Sequence, residues 1–285
     1  MKHLFDMCST LMADVRPGFH PETDDVYKMT AIPRGLALII NNERFGPKTE
    51  VELETRHGSD QDVVQLQKLF EDLGFDVQTK RNLTRKQLLD ELDSVACEDH
   101  SKYDCFVLWI MSHGTSDEVY CSDGKTMPIE TVVRDMFSNA ACKTLSGKPK
   151  LCFIQACRGD REDEVVVSQT PVPAHQKSDS PVDHNKPSSS LAPRTPEHTD
   201  FLMAYSTVEG YVAYRNENVG SRYVLALVDI FQERAEHDHI LDILTKVTRK
   251  VSRMQETYRP KGTSEVKDNV QVPVFSSTLT KNLYF

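Results

Sequence analysis

No segment of this sequence comes near the run of about 18 consecutive apolar residues that a membrane-spanning helix needs. The first 25 positions, MKHLFDMCSTLMADVRPGFHPETDD, lack the sustained apolar stretch of a secretory signal and carry acids early. A cytoplasmic chain with no membrane partner is therefore expected. A basic excess is missing as well: 34 Lys and Arg stand against 43 Asp and Glu, for a formal net charge of −9. That balance argues against a face built to neutralise a phosphate backbone, so no nucleic-acid partner is expected. The seven cysteines include no CxxC pair, and their number is odd. A zinc site would show paired spacing and a disulfide framework an even count. No metal and no cofactor is expected, and a special thiol must be special through its surroundings. The length, 285 residues, is ample for a buried core, and no internal repeat interrupts it.

What is present is an alternation of short apolar runs with amphipathic stretches. GLALIIN (35–41), FDVQTK (75–80), DCFVLWIMS (104–112), KLCFIQA (150–156), FLMAYS (201–206) and VPVFSSTLT (272–280) have strand length. Between them, DQDVVQLQKLFEDLG places Val63, Leu66, Phe70 and Leu73 on one helical face. Ser59 with Asp62 predicts a capping-box start there, and Gly74 a C-terminal stop. Thr84 with Gln87 predicts a second capped helix, Pro128 a third, and helices are expected over about 221–235 and 238–253. A polar loop is expected over 255–270. Strands alternating with helices predict an α/β fold, a mostly parallel sheet with helices on both faces.

Residues 160–200 break the pattern. They hold six prolines, six serines and no Phe, Tyr or Trp. Such a segment cannot bury enough apolar surface to offset its ordering entropy, so a flexible linker is expected. Residues 1–25 are expected to be a leader too short to fold alone.

In open α/β sheets the reactive groups lie beyond the carboxyl ends of the strands. Two apolar strands end in loaded sequences: Ser112-His113-Gly114 and Gln155-Ala156-Cys157-Arg158-Gly159. If those strands are neighbours, an imidazole and a thiol share one rim. The imidazole can take the thiol's proton, then return it to a leaving amine. The amides of Gly114 and Cys157 could cradle an oxyanion. His237-Asp238-His239 does not make a metal site, because residues two apart on a helix do not share a face. The basic residues of KVTRKVSR (246–253) read as an exposed helical face.

QACRG, with a histidine 44 residues upstream, resembles the caspase signature. The resemblance extends over nearly all of 26–285: MSHG around His113, SGKPKLCFIQACRG, TRHGSD around Arg56, AYSTVEGYVAYRN ending in Arg215-Asn216, the VYKM run after Asp25 and the terminal LTKNLYF. It implies a three-layer α/β/α sandwich on a six-stranded, mostly parallel sheet. It also implies a cysteine endopeptidase cutting after aspartate, with Cys157 as nucleophile, His113 as general acid/base and Gly114 as an oxyanion donor. Arg56, Gln155 and Arg215 would form the aspartate pocket, with Ser112, Val212, Ala213, Tyr214, Asn216 and Arg222 along the substrate groove. Ala213-Tyr214 stands where relatives usually have Ser-Trp, and Arg222 where they commonly have Trp. Arg222 is accordingly expected either to favour an acidic residue three positions before the aspartate or to point to solvent.

The short leader resembles that of executioner members, which act in apoptosis. The implied organisation is a leader (1–25), a large subunit (26–183) and a small subunit (184–285), separated by cleavage at one leader site (Asp24 or Asp25) and one linker site (Asp179 or Asp183). Asp160, Asp163 and Asp200 are the other linker aspartates. Expected partners are proteins with exposed aspartate, a second copy of the chain, upstream family members and inhibitor proteins. A catalytically silent regulator would have lost the Cys, the His or a pocket arginine, and all are present. An Arg- or Lys-directed relative would need an acidic pocket, and an initiator trimmed of its recruitment domain is the remaining alternative.

Overall fold

The computed structural model describes residues 25–46, 52–163, 196–254, 256–258 and 267–285. In chain order the strands and helices are β1 (Gly35–Asn41), α1 (Ser59–Asp72), β2 (Asp76–Arg81), α2 (Arg85–Ala96), β3 (Cys105–Met111), β4 (Val119–Tyr120), β5 (Thr126–Met127), α3 (Ile129–Met136), β6 (Lys150–Gln155), β7 (Phe201–Tyr205), β8 (Arg215–Asn216), β9 (Gly220–Ser221), α4 (Arg222–Arg234), α5 (Ile240–Ser252), β10 (Glu256–Tyr258), β11 (Lys267–Asn269) and β12 (Val274–Ser277). Six strands form one sheet in the order β12-β7-β6-β3-β1-β2. All neighbours are parallel except β12, which runs antiparallel to β7.

The central strands read as continuous apolar runs because both their faces are covered. Alternate residues supply two separate cores. Ala37, Ile39, Val107, Trp109 and Phe153 face α1, α4 and α5. Leu36, Leu38, Phe106, Leu108 and Ile154 face α2 and α3. Trp109 and Phe153 stack across β3 and β6, with ring centroids 4.6 Å apart. The expected three-layer α/β/α sandwich is the observed architecture.

Helix starts divide the sequence reading. α2 begins with the expected capping box: Thr84 accepts from the Gln87 amide, and Gln87 accepts from the Thr84 amide. α1 does not. Its N-cap is Gly58, at φ +85°, and no side chain caps it. Ser59 is buried and its Oγ accepts from Asn41 Nδ2 at 3.0 Å. Asp62 is also buried and accepts from Ser221 N at 2.7 Å and Ser221 Oγ at 2.6 Å. Tertiary partners took both members of the expected box.

Two further expectations need correction. The stretch expected as a polar loop over 255–270 contains the antiparallel pair β10 and β11. The expected linker is held at both ends. Arg161 bridges to Tyr211 and Asp163 to Val270. Asp200 is 1% exposed and accepts from Tyr27 Oη at 2.6 Å and Thr280 Oγ1 at 2.7 Å. Asp24, Asp179 and Asp183 lie outside the described residues; Asp25 is exposed.

Candidate active site

β3 and β6 are adjacent, and their register pairs Met111 with Gln155 at the carboxyl edge. Ser112 N continues the ladder to Gln155 O at 3.1 Å. His113 therefore leaves the sheet one residue beyond the last rung and Cys157 two residues beyond it, on neighbouring strands. Gly114 completes the juncture: a Cβ there would come within 2.5 Å of the Cys157 carbonyl oxygen and 2.9 Å of Ala156 Cβ. Only glycine lets the histidine loop lie this close to the cysteine backbone.

His113 is held on two sides. Its Nε2 lies 2.8 Å from the Glu54 carbonyl oxygen, which can only accept. Nε2 must carry the hydrogen, and the neutral ring keeps its lone pair on Nδ1. The Phe45 ring packs on the imidazole at a centroid distance of 5.0 Å. Burial lowers the His113 pKa, and the charges of Arg56 and Arg215 lower it further. The ring is thus biased toward the neutral form that can accept a proton.

Cys157 is partly exposed. Its Sγ accepts from Ala213 N at 3.4 Å and lies 3.8 Å from Ala213 O. The thiol thus rests against the segment expected to line the substrate groove. The next residue anchors this loop: Arg158 stacks on Tyr205, 4.2 Å from the ring centroid, and its Nε donates to Ser116 O at 3.1 Å.

Arg56 and Arg215 approach this rim from two loops. Arg56 is 1% exposed, and its Nη1 donates to Asn41 Oδ1 and Asn42 O, both at 3.0 Å. Arg215 Nε donates to His57 O at 2.8 Å. The two loops can close because position 58 is glycine: a Cβ there would be 2.6 Å from Glu217 O. Burial first, and the neighbouring Arg215 second, press the Arg56 pKa down to about 9. Burial lowers that of Arg215 as well. Asp62 is the strongest of the acids that attract both guanidiniums, with Glu43 acting on both as well. Gln155 is 2% exposed, and its Oε1 is buried with no hydrogen-bond partner among the described residues. A carboxamide can turn end for end, so this position can offer an N–H instead. The buried Arg56 guanidinium and the half-buried guanidinium of Arg215 repel one another, and a carboxylate between them would relieve that repulsion through charge-assisted hydrogen bonds.

The other expected residues divide. Val212 and Ala213 run past Cys157, and Tyr214 N is fixed by Gln271 Oε1 at 2.8 Å. Ser112 is buried and its hydroxyl donates to Tyr120 O at 2.5 Å, so its side chain braces the loop. Asn216 is exposed and its Oδ1 accepts from Asn218 N at 2.9 Å. Arg222 departs from one of its two expectations. It is 6% exposed, so it does not point to solvent. Its guanidinium donates to Asn269 O at 3.0 Å and Asn269 Oδ1 at 2.5 Å and stacks on Tyr214 at 4.8 Å. Its charge is used inward, to hold the wall formed by Tyr214. Sequence reasoning also missed the Glu54 carbonyl, because a backbone acceptor leaves no trace in residue identity.

Comparison with known proteins finds relatives over most of the chain. Residues 34–284 match the family described as the caspase domain. Over 263 residues the chain is 36% identical to Caspase-3 of Oryctolagus cuniculus, covering 92% of this chain and 87% of that protein. It is likewise 36% identical over 263 residues to Caspase-2 of Gallus gallus, covering 90% of this chain and 60% of that protein. Among solved structures, the crystal structure of Caspase-1 from Spodoptera frugiperda aligns with a TM-score of 0.78 at 31% identity, covering 93% of this chain and 94% of that one.

Proposed function

The chain belongs to the caspase family of cysteine peptidases, and on that premise we propose that it is an active endopeptidase cutting after aspartate, with Cys157 as nucleophile and His113 as proton-transfer partner. One observation carries the reading. Arg56 and Arg215 lie near enough to one another, to Cys157 and to His113 for their charges to act on them, and Gln155 ends β6 at the same rim. A short carboxylate fits such a hole by forked, charge-assisted hydrogen bonds. An uncharged side chain would leave the guanidiniums desolvated and unpaired, which gives selectivity by exclusion.

With aspartate seated, the scissile carbonyl lies over Cys157. The thiol proton passes to His113 Nδ1 as Sγ attacks the carbonyl carbon, and the N–H groups of Gly114 and Cys157 hold the oxyanion. Collapse breaks the C–N bond, and the proton on Nδ1 goes to the leaving amine. Water, deprotonated by His113, then hydrolyses the thioester and restores the thiol. Glu54 O keeps Nε2 protonated throughout.

The enzyme is made as an executioner-type zymogen. Cleavage at Asp24 or Asp25 removes a leader (1–25), and cleavage at Asp179 or Asp183 separates a large subunit (26–183) from a small one (184–285). β12 stands at the edge of the sheet, and pairing of two such edges would cover it in a dimer. Its place is the cytoplasm and its role apoptotic proteolysis, with aspartate-bearing proteins as substrates and upstream caspases and inhibitor proteins as further partners.

The test uses the full chain and peptides differing only at the residue before the cut. Aspartyl peptides are expected to be cleaved at least a hundredfold faster than asparaginyl ones, by ~3 kcal/mol of carboxylate recognition. Cys157→Ala should remove all turnover. Equal rates on the two peptides, or turnover by Cys157→Ala, would overturn the reading.

A further inference from the structure

The segment after the nucleophile lies along the segment that carries the substrate groove. Arg158 N donates to Tyr211 O at 2.9 Å, Gly210 N to Arg158 O at 2.6 Å, Arg161 N to Gly210 O at 3.1 Å and Val212 N to Arg161 O at 2.9 Å. The side chain of Arg161 adds a second layer. Its guanidinium covers the Tyr211 ring, 4.6 Å from the centroid, and its Nε donates to Gly210 O at 3.3 Å. Gly210, at φ +88°, is what makes room: a Cβ there would overlap the guanidinium. Gly159, at φ +152°, lies against Gly210 in the same way. Two residues beyond Tyr211, the Ala213 amide lies on Cys157 Sγ. The path from Cys157 through Arg161 to Val212 and back through Ala213 is therefore a closed ring of contacts.

We propose that Arg161 is a positioning residue: by clamping Tyr211 it sets the distance between Cys157 and the groove segment 212–215. It touches neither the thiol nor the aspartate pocket. Its influence runs through Tyr211 to Ala213 and Arg215, so substrate binding should suffer more than the chemical step. Arg161 is exposed, so the clamp works by planar stacking with the guanidinium fork, and a lysine can replace only the charge. Arg161 lies at the start of the expected linker, 18 positions before Asp179, the first proposed linker processing site. This inference rests on the proteolytic reading above, but its first readout does not.

The experiment measures hydrogen exchange of the Val212 and Ala213 amides and hydrolysis of an aspartyl peptide, in wild type, Arg161→Ala, Arg161→Lys, Tyr211→Ala and the double Ala variant. Arg161→Ala should speed exchange of both amides roughly tenfold. It should raise KM about five- to tenfold while kcat changes less than twofold, since a stacked cation and one hydrogen bond are lost. Arg161→Lys should recover part of the KM. The double variant should be no worse than the worse single one, the mark of a shared interaction. Unchanged exchange in Arg161→Ala, or fully additive single effects, would overturn the clamp. If wild type hydrolyses no aspartyl peptide, the functional reading fails, and the exchange data still decide the clamp.

Discussion

His113 shows how a single residue acquires its chemistry from neighbours that are not next to it in sequence. Burial and two cations act against the imidazolium, while the Glu54 carbonyl acts for it, and the net direction is down. Only the neutral ring can take the thiol proton. Activity should be present above the folded pKa of His113 and lost as pH falls through it. The acid limb of kcat/KM, which reports the free enzyme, should therefore lie below the ordinary histidine value of about 6.5. Arg215 contributes to that depression and belongs to the proposed aspartate pocket. Arg215→Gln should move the acid limb upward, toward the ordinary value, while lowering kcat/KM for an aspartyl peptide by about ten- to a hundredfold through loss of one charge-assisted hydrogen bond. A pH–rate profile of both proteins checks the two effects together. A limb that moves down, or stays put, would mean that the Arg215 charge does not reach the imidazole. The identities of these residues were legible in the sequence because Cys157, His113, Arg56 and Arg215 sit in recognisable strings. Their electrostatic coupling was not, since it depends on loops separated by more than a hundred positions.

At the scale of the element, the strands and helices that a periodic pattern can specify were readable, and those decided by tertiary contact were not. α2 is the simple case. Its Thr84–Gln87 box is local and forms as its sequence predicts. α1 carries a similar string at Ser59, but the glycine before it adopts a left-handed conformation so that the Arg56 and Arg215 loops can meet. Ser59 is thereby released to hold Asn41, whose Oδ1 in turn accepts from Arg56. The polar β10–β11 pair escaped notice because its sequence has no apolar alternation to mark it. Arg222 escaped because an arginine is read as solvated unless an aromatic face and buried carbonyls are known to await it. The two helix starts should respond differently to the same change. Thr84→Ala should lower unfolding stability by about 1 kcal/mol and leave KM untouched. Ser59→Ala should raise KM for an aspartyl peptide, because freeing Asn41 loosens Arg56. Urea unfolding and steady-state kinetics on both variants separate the cap from the brace; a KM effect in Thr84→Ala, or none in Ser59→Ala, would contradict this division.

For the whole molecule, the consequence of cutting the linker follows from where its two ends are sewn in. β6 precedes the linker and β7 follows it, yet they are parallel neighbours in the middle of one sheet, paired from Lys150–Phe201 to Ile154–Tyr205. α4 and α5, which follow the linker, pack with α1 over β1 and β3, which precede it. A cut at Asp179 or Asp183 would therefore divide the chain without dividing the core, since both halves supply residues to the same apolar clusters. The self-processed protein should run as one species in native gel filtration and come apart only in denaturant. Asp200 should not be a cutting point, although it too follows the prolines and serines. Its carboxylate is held by Tyr27 and Thr280 and its backbone begins β7, so a protease would have to unzip the sheet edge to reach it. Intact masses of the processed pieces should place the new carboxyl terminus at Asp179 or Asp183. A terminus at Asp200, or halves that separate without denaturant, would mean that the β6–β7 seam opens far more readily than its burial implies.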